Sequence, residues 1–141
     1  MEGKLCHVGI VVKDIGKAID YYSTVFGISH FQKLEFPQLK VEIRGKPCNI
    51  DVQAAVAPLG DLQLELIQAE PGENIYWEFF QKHGEGLHHL AIEVKNLDAE
   101  LSRFKEKGGS VLMGGKVHGG GFAYLEFGKM GGVILELHQP G

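Results

Sequence analysis

Four side chains with metal-binding chemistry recur at equivalent places in two copies of one sequence pattern. His7 opens the segment HVGIVVKDI, and His89 opens the segment HLAIEVKNL. Glu65 lies within LQLELIQ and Glu136 within VILELHQ, so each copy also contributes one glutamate near its end. Two imidazoles and two carboxylates form a mixed nitrogen and oxygen donor set, which suits a divalent metal ion such as Co, Ni, Mn, Zn or Fe. We therefore expect these four residues to bind one metal ion.

The repeat extends beyond the four candidate ligands and indicates a duplicated scaffold. Residues 7–27 align with residues 89–109, and hydrophobic and glycine positions coincide along both segments. The identical pairs after the histidines include Ile10 with Ile92, Val12 with Val94 and Gly27 with Gly109. Each copy should therefore fold into the same arrangement of strands and helix.

Each copy is predicted to begin with a strand that leads directly into a helix. Apolar side chains alternate over residues 5–12 and 87–94, as expected for strands with one face buried. Asp14 and Asn96 follow these strands and are suitable N-caps, because their side-chain oxygens can accept from unpaired N–H groups of a first helical turn. Apolar residues then recur at helical spacing up to Gly27, a typical helix end.

Three further strands complete each copy, which gives an α+β fold of duplicated βαβββ modules forming a curved mixed sheet around a central metal cavity. The expected strands are 31–36, 50–57 and 61–68 in the first copy and 110–113, 121–127 and 132–138 in the second, with turns at 58–61 and 131–132. We expect one domain over residues 1–141, with module one at about 5–68, a linker helix at about 72–84, and module two at about 87–139.

The closing strands determine which way the glutamates point. Leu64 and Leu66 flank Glu65 and should face the helix, so the carboxylate lies on the opposite face of the sheet. The same alternation places Glu136 opposite its flanking leucines. A carboxylate in such an apolar strand is costly to bury without a compensating partner. This favours convergence of the glutamates with the two histidines.

Composition excludes several classes of function. The net charge of −4 over 141 residues gives no basic face for nucleic acid. No apolar run approaches the ~20 residues that span a bilayer, and the N-terminus lacks the apolar stretch of a signal peptide. Cys6 and Cys48 form no disulfide framework, so we expect reduced thiols and a cytoplasmic protein without membrane or nucleic-acid partners.

A glycine-rich segment at residues 114–127 is the second candidate for function. Its glycines would expose backbone N–H groups, and Lys116 and His118 would meet a carboxylate or thioester substrate at the mouth of the cavity. A hairpin without a ligand role fits the same residues equally well. The segment lacks the strand–loop–helix context of a phosphate-binding motif.

With these motifs in place, the chain resembles the vicinal oxygen chelate superfamily, which includes glyoxalase I, acyl-CoA epimerases, extradiol dioxygenases and bleomycin-resistance proteins. The resemblance rests on HVGIVVKDI, LELIQ, GLHHLAIEVKNLDAELSRFKEKG and GGVILELHQ, and GLHHLAIEV is most similar to the epimerase branch. It implies the same four metal ligands and a homodimer. The complete set argues against the bleomycin-resistance proteins and the dioxygenases.

The resemblance implies an isomerase that moves a proton next to a thioester carbonyl, acting on methylmalonyl-CoA or a related 2-substituted acyl-CoA. Epimerases of the superfamily use a further glutamate as base, and here Asn49 occupies its place, with Glu42 and Asp51 as the nearest carboxylates. Glu136 or Glu65 would then act as base, as the glutamates of glyoxalase I are thought to do. The alternatives are a glyoxalase I-type lyase acting on a hemithioacetal and a non-catalytic binding protein.

Overall fold

The computed structural model describes residues 1–126, 128 and 132–141. Within these residues the chain forms eight strands and three helices. In chain order they are β1 (Gly3–Val12), α1 (Ile15–Phe26), β2 (Gln32–Ile43), β3 (Lys46–Leu59), β4 (Leu62–Gln68), α2 (Ile75–His83), β5 (Gly86–Val94), α3 (Leu97–Glu106), β6 (Ser110–Val117), β7 (Gly120–Glu126) and β8 (Ile134–Gln139).

The order of elements confirms the predicted α+β class, because a strand, a helix and three strands occur on each side of α2. Hydrogen-bonded neighbours follow the order β1-β4-β3-β2-β6-β7-β8-β5, which closes into one mixed sheet. The opening and closing strands of each copy are parallel neighbours, β1 with β4 and β5 with β8. The strands that carry the candidate ligands are therefore adjacent within each copy.

The chain divides into two compact units, and each is assembled from separate stretches. The first unit contains His7–Leu39 and Ile50–His88, and the second contains Met1–Cys6, Lys40–Asn49 and His89–Gly141. The single domain with two consecutive modules stays a prediction. No helix in the described part of the chain is long and apolar enough to cross a membrane.

The core of the first unit forms where α1 packs on β1 and β4. Asp14 caps the helix by accepting from its third N–H group, and Gly27 ends it with a φ of 70°. Leu64 and Leu66 of β4 face α1, and burial of each leucine contributes ~1.5–3 kcal/mol. The buried cluster is Val12, Ile15, Ala18, Ala55, Leu64 and Leu66. This burial fixes the other face of β4 for Glu65.

The second unit repeats this arrangement with α3 on β5 and β8. Asn96 caps α3 as Asp14 caps α1. After the helix the chain passes so close to Phe104 that a Cβ on Gly109 would clash with its ring, so a larger residue here would have to displace that ring. The buried cluster contains Val94, Ala123, Leu125 and Leu137. Leu137 is one of these residues, so its neighbour Glu136 points to the opposite face.

Two predicted strands of the first copy are much longer in the structure. The expected strands 31–36 and 50–57 extend to Gln32–Ile43 and Lys46–Leu59, joined by a tight turn. Pro37 suggested an end to the first of these strands, although apolar Leu39, Val41 and Ile43 continue to alternate with Lys40 and Glu42 after it. The ladder continues because β2 pairs with β6, with Val41 opposite Gly115.

The glycine-rich segment is a regular hairpin rather than an open loop. Strand β6 continues to Val117, beyond the predicted end at residue 113, and β7 begins at Gly120. A Cβ on Gly115 would lie 3.1 Å from the ring of Phe122 and 3.0 Å from a backbone oxygen of β2, so this glycine permits close packing in the ladder. Residues 127 and 131, included in the predicted last strands and turn, lie outside the described residues.

Candidate metal centre

In the first unit, parallel pairing of β1 and β4 brings His7 to Glu65. His7 lies opposite Gln63, and Gly9 lies opposite Glu65, so the glutamate side chain reaches diagonally across the ladder. The distance from His7 Nε2 to Glu65 Oε1 is 3.4 Å. The side chains are 14% and 18% exposed, so this pair is accessible to solvent.

In the second unit, β5 and β8 produce the same diagonal contact. His89 lies opposite Ile134, and Ala91 lies opposite Glu136. The distance from His89 Nε2 to Glu136 Oε1 is 3.2 Å, and the side chains are 0% and 8% exposed. The two pairs thus have equivalent geometry, but the second is almost completely buried.

Tyr124 completes the surroundings of the buried pair and was not predicted from the sequence. It lies opposite Glu136 on the neighbouring strand β7. Its ring meets the ring of His89 edge to face, with centroids 4.9 Å apart. The corresponding neighbour of Glu65 on β3 is Val56. An aromatic residue between Ala123 and Leu125 in β7 was the available signal, but its position depends on the register with β8.

The donor atoms of the two pairs form a group that could hold a metal ion. One ligand atom from each of His7, Glu65, His89 and Glu136 can be chosen so that all lie within 4.8 Å of one another. Donor atoms about 2.1 Å from one ion lie roughly 3–4.2 Å apart, which is somewhat shorter than the widest separation in this group. Two imidazole nitrogens and two carboxylate oxygens suit a divalent first-row metal and do not distinguish which one.

Glu42 and Asp51 are the carboxylates nearest to the place where epimerases of the superfamily have their base. Both point away from the face that carries the candidate ligands. Glu42 is exposed on β2, next to the buried Val41. Asp51 is exposed on β3 and accepts from the backbone N–H of Gln38 at 2.8 Å and from its amide at 3.0 Å. Asn49 is also exposed. These three side chains therefore do not join the candidate ligands.

The histidine next to His89 has a different environment. His88 is 4% exposed and packs between aromatic rings of α2, with centroid distances of 5.2 Å to Tyr76 and 5.1 Å to Phe79. Alternation along β5 gives the two histidines opposite directions. The structure therefore brings His89, and not His88, to Glu136.

Lys116 and His118 lie at the tip of the β6–β7 hairpin. His118 and Gly119 form the turn with φ values of 50° and 80°, which gives a two-residue connection between the strands. Both candidate substrate-binding side chains are exposed. Their role in binding stays a prediction.

Comparison with known proteins identifies the family. The model of the glyoxalase/bleomycin resistance protein/dioxygenase superfamily matches residues 6–125, so the chain belongs to this superfamily. Its fold is the one that the sequence resemblance implied.

Among curated proteins, similarity is found to acyl-CoA epimerases. The chain is 29% identical over 143 residues to human mitochondrial methylmalonyl-CoA epimerase, covering 97% of this chain and 74% of that protein. It is 26% identical to ethylmalonyl-CoA/methylmalonyl-CoA epimerase of Cereibacter sphaeroides, covering 99% of both. A solved variant of Streptomyces coelicolor methylmalonyl-CoA epimerase, in complex with 2-nitronate-propionyl-CoA, has a similar fold, with a TM-score of 0.76, 21% identity, and coverage of 98% of this chain and 94% of that one.

Proposed function

We propose that this chain is a metal-dependent epimerase of methylmalonyl-CoA or a related 2-substituted acyl-CoA. The observation that carries the proposal is the group of two histidines and two glutamates with donor atoms within 4.8 Å of one another. The similarity to epimerases named for methylmalonyl-CoA and ethylmalonyl-CoA indicates the substrate class.

The four residues would hold a divalent ion such as Co, Ni, Mn, Zn or Fe. When bound, the metal would supply Lewis-acid stabilisation of the negative charge that develops on the thioester oxygen as the α-proton leaves. The remaining requirement is a base at the α-carbon. A carboxylate positioned for proton transfer typically contributes ~10²–10⁴ in rate.

Glu136 and Glu65 are the carboxylates we assign to proton transfer. Epimerisation removes a proton from one face of the α-carbon and returns one to the other face, so two acid–base groups serve it better than one. Each unit supplies one of these glutamates, and each sits beside a histidine that holds its carboxylate in place. Glu42 and Asp51 are exposed elsewhere and are not needed in this scheme.

The β6–β7 hairpin is the proposed contact for the charged part of the substrate. Lys116 supplies a positive charge, and His118 supplies a ring nitrogen, both on an exposed tip. A carboxylate or thioester carbonyl would accept hydrogen bonds from these groups. The net charge of −4 makes such a local positive group useful for an anionic acyl-CoA.

We also expect a homodimer in a reducing compartment such as the cytoplasm. Cys6 and Cys48 are not joined in a disulfide, which is typical of proteins in reducing compartments. The dimer is implied by the superfamily and is tested by sedimentation equilibrium; a protein that stays monomeric at micromolar concentration would contradict it.

Exchange of the α-proton tests the proposed activity most directly. Metal-loaded protein is incubated with methylmalonyl-CoA in D₂O, and loss of the α-proton signal is followed by NMR beside a chelator-treated control. Metal-dependent exchange well above the background rate is expected. The absence of exchange, in protein shown to contain metal, would overturn the epimerase assignment.

A glyoxalase I-type lyase is the second candidate, and one observation favours it. Among the described residues of β2 and β3, no carboxylate joins the group of candidate ligands. The base would therefore have to be one of the ligands themselves, as in the glyoxalase scheme. Disappearance of the hemithioacetal of methylglyoxal and glutathione, followed by absorbance, tests this activity with the same protein preparation. Turnover of the hemithioacetal without acyl-CoA exchange would select the lyase.

A further inference from the structure

A glutamine three residues after each candidate glutamate ligand connects its strand to the start of a helix. Gln68 Oε1 accepts from the backbone N–H of Ile15, the first residue of α1, at 2.9 Å. Gln139 Oε1 accepts from the backbone N–H of Leu97, the first residue of α3, at 2.8 Å. The same contact therefore occurs once in each unit, between the strand that carries the glutamate and the helix that follows the strand carrying the histidine.

These contacts are separate from ordinary helix capping. The N-cap side chain of α1 accepts from the backbone N–H of Lys17, and that of α3 accepts from the backbone N–H of Ala99. The glutamines satisfy the first N–H group of each helix instead, and they come from residues 53 and 42 positions away in the chain. A distant side chain at this place fixes a tertiary relationship, which a local cap does not do.

The orientation of one of these amides is set by a second hydrogen bond. Gln68 Nε2 donates to Glu70 Oε1 at 3.2 Å, which turns the amide oxygen towards the helix. Just beyond, the backbone N–H of Ala69 donates to the carbonyl of Val12 at 2.8 Å. The end of β4 is thus held against the end of β1 by a backbone contact and against the start of α1 by a side-chain contact.

The strand register needs such a constraint because apolar packing alone does not determine it. A slip by one residue would turn the leucines away from the helix, but a slip by two residues would keep every side chain on its face. The second kind of slip would move Glu65 by ~6.6 Å along β1, to a place opposite either His7 or Val11, and would replace the observed diagonal contact in both cases. A glutamine that reaches only the first helical N–H excludes this slip.

We propose that Gln68 and Gln139 are positioning residues that hold each glutamate ligand in register with its histidine. The inference rests on the metal role proposed above for the His–Glu pairs. Each glutamine would act as a clamp, which is defined here as its hydrogen bond to the first N–H group of the helix. Loss of this clamp should loosen the His–Glu pair of the same unit.

Variants of Gln68 separate positioning from general stabilisation. Gln68→Leu removes the acceptor with little change in size, and the double variant Gln68→Glu with Glu70→Gln retains an acceptor near the helix N-terminus and keeps a hydrogen bond between the side chains at positions 68 and 70. Asp14→Ala is the matched control, because it removes one hydrogen bond from the same helix end without touching β4. Metal affinity is measured by titration against a chromophoric chelator, and apo-protein stability by thermal unfolding.

We expect Gln68→Leu to weaken metal binding by about tenfold or more, as is typical when the support of a ligand is removed. The double variant Gln68→Glu with Glu70→Gln should restore affinity to within a few-fold, and Asp14→Ala should lower the melting temperature without changing affinity. Equal affinity in Gln68→Leu and the wild type, or an equal loss in Asp14→Ala, would overturn the clamp. Gln139→Leu with Asn96→Ala repeats the comparison in the second unit if a Gln68 variant does not fold.

A metal-free readout keeps this test independent of the proposed activity. Ring signals of the two histidines are recorded by ¹⁵N NMR in metal-free protein. The clamp predicts that Gln68→Leu broadens or splits the signal of His7 and leaves that of His89 unchanged, whereas Gln139→Leu does the reverse. Unchanged ring signals in both variants would contradict the clamp, whereas wild-type protein that binds no metal would contradict only the metal role.

Discussion

Gly9 lies directly opposite Glu65 across the parallel β1–β4 ladder, in the place that Ala91 occupies opposite Glu136. Both positions are buried, and both have little or no side chain on the face that carries the ligands. The glutamate can therefore cross diagonally to the histidine two residues earlier on the neighbouring strand. Small residues at these positions are therefore as much a part of the candidate site as the four candidate ligands.

Enlarging Ala91 should displace Glu136 from His89. Ala91 is 0% exposed, so the two additional methyl groups of Ala91→Val have no solvent to enter. We expect a loss of ~1–3 kcal/mol in the free energy of unfolding from overpacking, together with weaker metal binding by about tenfold. Calorimetric metal titration measures the second effect. Ala91→Gly preserves the space and serves as control. Wild-type metal affinity in Ala91→Val would show that the size of residue 91 does not determine the position of Glu136.

Replacing the proposed base should abolish proton exchange. Glu136→Gln keeps the size of the side chain and one oxygen donor but removes the basic carboxylate, so we expect α-proton exchange to fall by ~10²–10⁴. Metal content is determined in the same sample to separate loss of the base from loss of the ion. Glu42→Gln is the matched control, because Glu42 is exposed on β2. This variant should exchange the α-proton of the substrate at the wild-type rate. Near-normal exchange by Glu136→Gln would remove this role.

Metal binding should raise the stability of the folded chain. An ion that binds only the folded state contributes ~2.7 kcal/mol when its free concentration is about 100 times its dissociation constant. For a domain of this size we expect a rise in melting temperature of roughly 10 °C relative to chelator-treated protein. His89→Ala removes a fully buried ligand and should lose most of this metal-dependent rise. A rise of the same size in that variant would place the ion elsewhere.

The candidate ligands could be predicted from the sequence because duplication and alternation act together. Similar motifs placed His7 and His89 at equivalent positions, and leucines on both sides of Glu65 and Glu136 determined their face. The period of a strand and the comparison of two segments are sufficient for this, without knowledge of which strands are neighbours.

Features that depend on strand pairing could not be predicted in this way. Tyr124 lies beside His89 only because β7 pairs with β8 in one particular register. The continuation of β2 beyond Pro37 likewise involves its neighbours β3 and β6, and residues 41–43 pair with β6. Gln139 occurs in the closing motif, but its contact with Leu97 arises from the packing of α3.

Removing the charge at the β6–β7 hairpin should weaken substrate binding without affecting the metal. If Lys116 contacts the anionic part of an acyl-CoA, Lys116→Ala should raise KM several-fold and leave kcat and metal affinity near wild-type values, because an exposed ion pair contributes ~0–1 kcal/mol. Lys105→Ala removes the same charge at an exposed position of helix α3 and is the matched control. His118→Asn, which tolerates the φ of 50° at the turn, tests the second contact without straining the backbone. An unchanged KM in both hairpin variants would assign the segment a structural role alone.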